Sequence, residues 1–136
     1  MRVNPYLTFA GFCEEAFGFY EKCFNGKIDF MMRYGESPMA TQTPPGWHTK
    51  IMHATLSMGD CVLQGVDVMP DRYQKPQGFS VNLDLDDPAE ADRIFAILSE
   101  NGAVQMPIAE TFWAKRFGML VDRFDIPWMI NCGNAS

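Results

Sequence analysis

The chain has two histidines, and one of them, His53, sits where chemistry is possible. In the stretch HATLSMGD, alternation places His53, Thr55 and Ser57 on one face of a strand and Ala54, Leu56 and Met58 on the other. An imidazole on a polar face is either a hydrogen-bonded structural group or a donor, base or ligand-orienting group, because this residue type titrates near neutral pH. His53 is therefore the candidate catalytic residue. His48 falls in a Pro/Gly-rich loop and is expected to be exposed. Two imidazoles are too few for a His-rich metal site within one chain. Cys13, Cys23, Cys61 and Cys132 form no C-x-x-C pair, so zinc-ribbon and thioredoxin-type motifs are absent, and the four thiols read as buried small hydrophobes.

Neutral polar residues extend the candidate set. In SVNLDLD, Val81, Leu83 and Leu85 share one face while Ser80, Asn82 and Asp84 share the other. Gln64, Ser80 and Asn82 are thus expected either to face a ligand or to be solvated on an open sheet face; as neutral groups they suit ligand orientation better than bond cleavage. Asp67 and Asp84 are able to act as bases, but a carboxylate with no identified partner is usually exposed. In ETFWAKRFG, aromatic residues interleave with charges. Phe112 and Trp113 are expected to wall an apolar hollow or to fill a dimer interface, with Lys115 and Arg116 pointing outward or pairing with Glu110. Trp128, opposite in parity to Met129, is expected in the core.

Two helices must position these residues. In CEEAFGFYEKCF, Ala16, Phe19, Tyr20, Cys23 and Phe24 recur with a helical period, ended by Asn25-Gly26. In DDPAEADRIFAILSENG, Asp87 is an N-cap, Pro88 the first helical residue and Glu90 a candidate for a capping box, with Ala91, Ile94, Phe95 and Leu98 as the apolar stripe. Aligning Glu15-Ala16 with Glu90-Ala91 gives an internal offset of 75, the sign of a duplication. A strand precedes each helix. Three more follow: KIDFMMRYG, KIMHATLSMGD and CVLQGVDV in the first half, AVQMPIAET, FGMLVDRF and PWMINC in the second. The expectation is an α+β domain over residues 1–136, made of two βαβββ modules (about 1–70 and 78–136) forming a cupped mixed sheet around one hollow. The loop ESPMATQTPPGWHT, with two adjacent prolines, is expected to be irregular.

Composition sets the outer limits. With 47% apolar and 21% charged residues and no apolar run of about eighteen, a membrane-spanning helix is excluded. MRVNPYLTFAG lacks the apolar run of a signal peptide, so the cytoplasm is the expected location. A net charge of −6 without any Lys/Arg run makes nucleic acid a poor partner.

The stretches YLTFAGFCEEAFGFYEKCFNG, KIMHATLSMGD and TFWAKRFGMLVDRFDIPWMINC resemble the PhnB-like branch of the glyoxalase/bleomycin-resistance/dioxygenase (vicinal oxygen chelate) superfamily, over nearly the whole chain. The resemblance implies paired βαβββ modules in a cupped sheet and a homodimer, sometimes with modules exchanged between chains. Metal-dependent members hold a divalent ion with His and Glu side chains from the first and last strand of each module. Carried over, those places fall on Pro5, Gln64, Ser80 and Met129, which supply no imidazole and no carboxylate. No metal and no other cofactor is therefore expected. Relatives are often labelled 3-demethylubiquinone methyltransferase-like, yet no glycine-rich strand-to-helix turn is present to bind a nucleotide-type cofactor. The expected function is binding of a small organic ligand in an apolar cup, through His53, Gln64, Ser80, Asn82, Phe112 and Trp113, with bleomycin-resistance-type sequestration as the family precedent. The alternative is a lyase, isomerase or dioxygenase-type enzyme using His53 as base or a displaced metal site.

Overall fold

The structure, a computed structural model, describes residues 1–133. It divides into two compact units, the first from Met1 to Gln74 and the second beginning at Lys75. The first holds β1 (Tyr6–Phe9), α1 (Cys13–Phe24), β2 (Lys27–Arg33), β3 (Ile51–Met58) and β4 (Cys61–Asp67). The second holds β5 (Val81–Leu85), α2 (Pro88–Leu98), β6 (Ala103–Ala109), β7 (Arg116–Val121) and β8 (Pro127–Cys132). The fold is thus βαβββ twice. Hydrogen bonding runs within each unit, giving two four-stranded mixed sheets ordered β1-β4-β3-β2 and β5-β8-β7-β6. In both, the first strand lies parallel to the last, and the remaining pairs are antiparallel.

Each sheet buries one face under its helix. Leu7, Phe9, Ala54, Leu56 and Leu63 are buried in the first unit, and Leu120, Trp128 and Ile130 in the second. The stripe of α2 is the expected one, and Asp87 caps it by accepting from the Ala89 N–H at 3.1 Å. Glu90 does not complete a capping box; it pairs with Arg93 one turn on. The buried face of α1 is rotated from expectation: Cys13, Ala16, Phe17, Tyr20 and Cys23 are buried, whereas Phe19 and Phe24 are half-buried. This helix is so rich in aromatic residues that the period alone does not select the inward face.

The duplication is real in the geometry but not at one fixed offset. The helices start 75 residues apart, whereas the first two strands and the turn between helix and second strand align at 76; the last two strands lie closer in sequence, because the first unit carries the longer loop after β2. Asn25 and Asn101 both adopt left-handed backbone (φ 53° and 58°). A Cβ on the glycine after each would meet a neighbouring strand's carbonyl, 2.6 Å from Ser57 O at Gly26 and 2.4 Å from Val121 O at Gly102. The next strands share a register break, between Ile28 and Phe30 and between Val104 and Met106. One residue is therefore gained between helix and turn. The loop after β2 is more regular than expected, with 3₁₀ turns at Tyr34–Glu36, Ala40–Gln42 and Pro45–Trp47. His48, expected to be exposed, is half-buried and ties this loop together, its Nε2 lying 3.0 Å from Ala40 O and 2.8 Å from Thr43 O. Of the four thiols, Cys61 is exposed at the β3–β4 turn, contrary to expectation, and the other three are buried.

Candidate functional site

The face of each sheet turned away from its helix carries the candidate residues, and the strand register says which of them are neighbours. In the first unit Tyr6 pairs with Gln64 across β1 and β4, and Gln64 pairs with Thr55 across β4 and β3. His53 lies on the same face by the two-residue alternation. There the Tyr6 hydroxyl reaches Nδ1 of His53 at 3.1 Å, with ring centroids 5.7 Å apart. Phe30 approaches the imidazole from β2, centroid to centroid 6.0 Å. Burial of the hydroxyl end, then the nearby Cys13, raises the Tyr6 pKa above the ordinary phenol value. The group is a neutral phenol at physiological pH. Tyr6 is the member of this cluster that the sequence reading passed over. Its parity, opposite to Leu7 and Phe9, was the available signal.

Asp67 does not belong to this face. It follows Leu63 and Gly65 on the helix side of β4 and is 1% exposed. Oδ1 accepts the N–H groups of Gly11 (3.0 Å) and Cys13 (2.9 Å), and Oδ2 that of Ile51 (2.9 Å). Burial raises its pKa against the opposing effect of these hydrogen bonds and of Lys50. A carboxylate with three backbone partners is an internal tie, not an available base. Burial and the nearby Asp67 likewise push the Cys13 thiol far up, which leaves it an inert core sulfur.

In the second unit Asn82 pairs with Met129, and Met129 with Met119, so that these three share the open face. Ser80 lies just ahead of β5, half-buried, two residues before Asn82. Asp84 is exposed and accepts from Asn131 Nδ2 at 3.3 Å. Phe112 and Trp113 stand on the turn before β7, 90% and 43% exposed. They form an edge-to-face series, Phe112 to Trp113 at 4.7 Å and Trp113 to Phe117 at 5.2 Å. Phe117 pairs with Asn131 and so shares the face of Met119. The turn is closed by Thr111, whose N–H donates to Ala114 O and whose Oγ1 accepts from Ala114 N. Arg116 does not pair with Glu110 but bonds Asp92 of α2 at 3.0 Å. Trp128 is fully buried, its Nε1 donating to the buried Asp122 at 2.8 Å.

The register also corrects the positions carried over for a metal. Tyr6, not Pro5, lies across from Gln64, and Asn82, not Ser80, lies across from Met129. The donors are then a phenol, two amides and a thioether, which do not fit a divalent ion normally held by imidazole and carboxylate. Among the described residues no group of three or more His, Cys, Asp and Glu is placed to hold one. Two surface hollows lie elsewhere. One of about 350 Å³ in the first unit is lined by Tyr34, Trp47, Val68 and Arg72 among others, and one of about 360 Å³ in the second surrounds Asn101, Gly102 and Asp125. Neither includes a candidate residue. Among the described residues no helix is long and apolar enough to cross a membrane.

Known proteins bear on these observations. The family described as 3-demethylubiquinone-9 3-methyltransferase matches residues 1–131. The Escherichia coli (strain K12) protein YjdN is 34% identical, over 96% of this chain and 95% of that protein. The crystal structure of PA1353 from Pseudomonas aeruginosa superposes with a TM-score of 0.90 at 43% identity, over 99% of each chain. A Bacillus cereus PhnB protein, described as a putative 3-demethylubiquinone-9 3-methyltransferase, gives a TM-score of 0.83 at 25% identity, covering 98% of this chain and 100% of that one. At 10% identity the fosfomycin resistance protein FosX of Mesorhizobium loti shares the fold alone, with a TM-score of 0.64 over 98% and 92% of the two chains.

Proposed function

The chain belongs to the PhnB-like 3-demethylubiquinone-9 3-methyltransferase family, with the glyoxalase/bleomycin-resistance fold, and on that premise we propose that it binds a small organic ligand against its open sheet faces without the metal centre usual in that superfamily. The observation that carries this reading is the chemistry where first and last strands meet: Tyr6 opposite Gln64, and Asn82 opposite Met129. All four side chains are uncharged. They offer hydrogen bonds and soft apolar contact, flanked by His53 and Phe30 in one unit and by Phe117, Trp113 and Phe112 in the other. Such surfaces suit holding a flat ligand more than breaking a bond. Methyl transfer draws no support from these residues. The strand-to-helix connections, Ala10-Gly11-Phe12 and Asp86-Asp87, are not glycine-rich, and neither sheet is a doubly wound parallel one.

A second reading, a lyase or isomerase with His53 as base, requires the Tyr6–His53 hydrogen bond to run from Nδ1–H to the phenol oxygen, leaving Nε2 free to accept a proton. The test of the first is a screen of aromatic and polycyclic compounds by tryptophan fluorescence, with resonance assignment of the residues that respond. Perturbation confined to the open-face residues His53, Gln64, Asn82 and Trp113 is the expected result. Perturbation confined to the hollow at Trp47 and Arg72 would overturn it.

A further inference from the structure

We propose that Tyr6 fixes His53 as the tautomer protonated on Nε2, making the open face of the first unit a donor site for the neutral carbonyl oxygen of a flat apolar ligand. The inference rests on the ligand-binding reading above and adds the ligand's chemical class.

A phenol donates a hydrogen bond far better than it accepts one, and Tyr6 is protonated at neutral pH, so the 3.1 Å contact to Nδ1 runs from the hydroxyl to the ring nitrogen. Nδ1 is thereby the unprotonated nitrogen, and a neutral imidazole must carry its proton on Nε2. Among the described residues Nε2 of His53 has no hydrogen-bond partner. The residues beside it on this face, Thr8, Phe30, Met32, Thr55, Gln64 and Val66, are uncharged; the charged Lys27 and Asp29 lie farther along the same face at Ser57, Lys27 as its cross-strand partner and Asp29 accepting from its hydroxyl. A carboxylate ligand would lose hydration here with no cation next to the imidazole to replace it, Lys27 lying farther along the face with Asp29 beside it, in a chain whose net charge is already −6. A ketone or amide oxygen needs only the N–H, with the Gln64 amide and the Thr55 hydroxyl as further donors. Phe30, exposed beside the imidazole, supplies a flat apolar surface for the ligand body. In this tautomer His53 donates a proton to a hydrogen bond and does not abstract one, so the base reading requires the opposite arrangement.

The first measurement is long-range ¹H–¹⁵N correlation of the two imidazoles at a pH where both are neutral. His48 is an internal reference, because its Nε2 faces two carbonyl oxygens, which only accept, and must carry the proton. His53 should show the same pattern, and Tyr6→Phe should shift its Nδ1 resonance as the accepted hydrogen bond is lost. A proton on Nδ1 of His53, or an Nδ1 resonance indifferent to Tyr6→Phe, would overturn the proposal. The second measurement titrates 2-acetylnaphthalene, 2-naphthoate and 2-ethylnaphthalene. The ketone should bind about fivefold or more tighter than either comparator, the effect of about one hydrogen bond. His53→Gln, which keeps an N–H, should preserve that preference, and His53→Leu should abolish it. Equal binding of the three probes would overturn the carbonyl site while leaving ligand binding standing. Failure of all three to bind would overturn the carbonyl site as well, and the broader screen would judge ligand binding separately.

Discussion

The Asp67 carboxylate, at the end of β4, accepts the backbone N–H of Cys13 at the start of α1 from 54 residues away, at 2.9 Å. The helix has no side-chain cap of its own, since Phe12 occupies the N-cap position, and Asp67 takes over that duty while also binding Gly11 and Ile51. Asp67→Ala would leave three backbone donors, two of them buried, without this acceptor. The expected loss is about 3 kcal/mol or more of unfolding free energy, and Asp67→Asn, which keeps one acceptor oxygen, should lose less. Denaturant titration of the two variants checks the order, and equal stability of all three proteins would contradict it.

Asp67 also predicts a pH dependence of definite sign. Burial raises its folded pKa above the unfolded carboxylate value, so the folded state holds the proton more tightly. The stability linked to that proton is full below the unfolded value of about 4 and is lost as pH rises through the folded pKa. Asn at this position cannot titrate. The stability of wild type relative to Asp67→Asn should therefore fall as pH rises from about 4 toward neutrality, and a difference that is constant or grows would refute this assignment.

Half-exposed Trp113 tests the aromatic series of the second unit. Because it is 43% exposed, Trp113→Ala should change the unfolding midpoint little. If the residue anchors a ligand, affinity should fall about thirtyfold, equivalent to about 2 kcal/mol. Lys115→Ala, at an exposed residue with no ion pair among the described residues, should change affinity by less than about fivefold. A Trp113→Ala protein that binds normally and unfolds early would make the cluster structural.

A homodimer is expected as well. The edge strand β6 is exposed along nearly its whole length, and Phe12, Phe79 and Phe112 are all exposed, surfaces that a second copy would cover. Sedimentation equilibrium at micromolar concentration should give twice 15.4 kDa; the single-chain mass would contradict it.

Legibility from sequence followed the range of the interaction. The α2 stripe and its Asp87-Pro88 start were readable because cap, first turn and period all lie within one segment. Strand parity likewise placed His53, Gln64 and Asn82 on open faces. Tyr6 escaped because its contact with His53, 47 residues away, exists only once β1 lies parallel to β4 and β4 beside β3. Asp67 looks like a possible base in sequence for the same reason: its partners come from separate segments, at Gly11, Cys13 and Ile51, and a buried carboxylate leaves no local trace of them.

Ligand binding without a metal is tested by the affinity for a ligand found in the fluorescence screen, on untagged protein before and after exhaustive chelation, with metal content and melting temperature determined on the same samples. The donors Tyr6, Gln64, Asn82 and Met129 predict far less than one divalent ion per chain, with unchanged affinity and melting temperature. Near-stoichiometric zinc, nickel, manganese or iron, whose removal lowers both and whose return restores them, would contradict it.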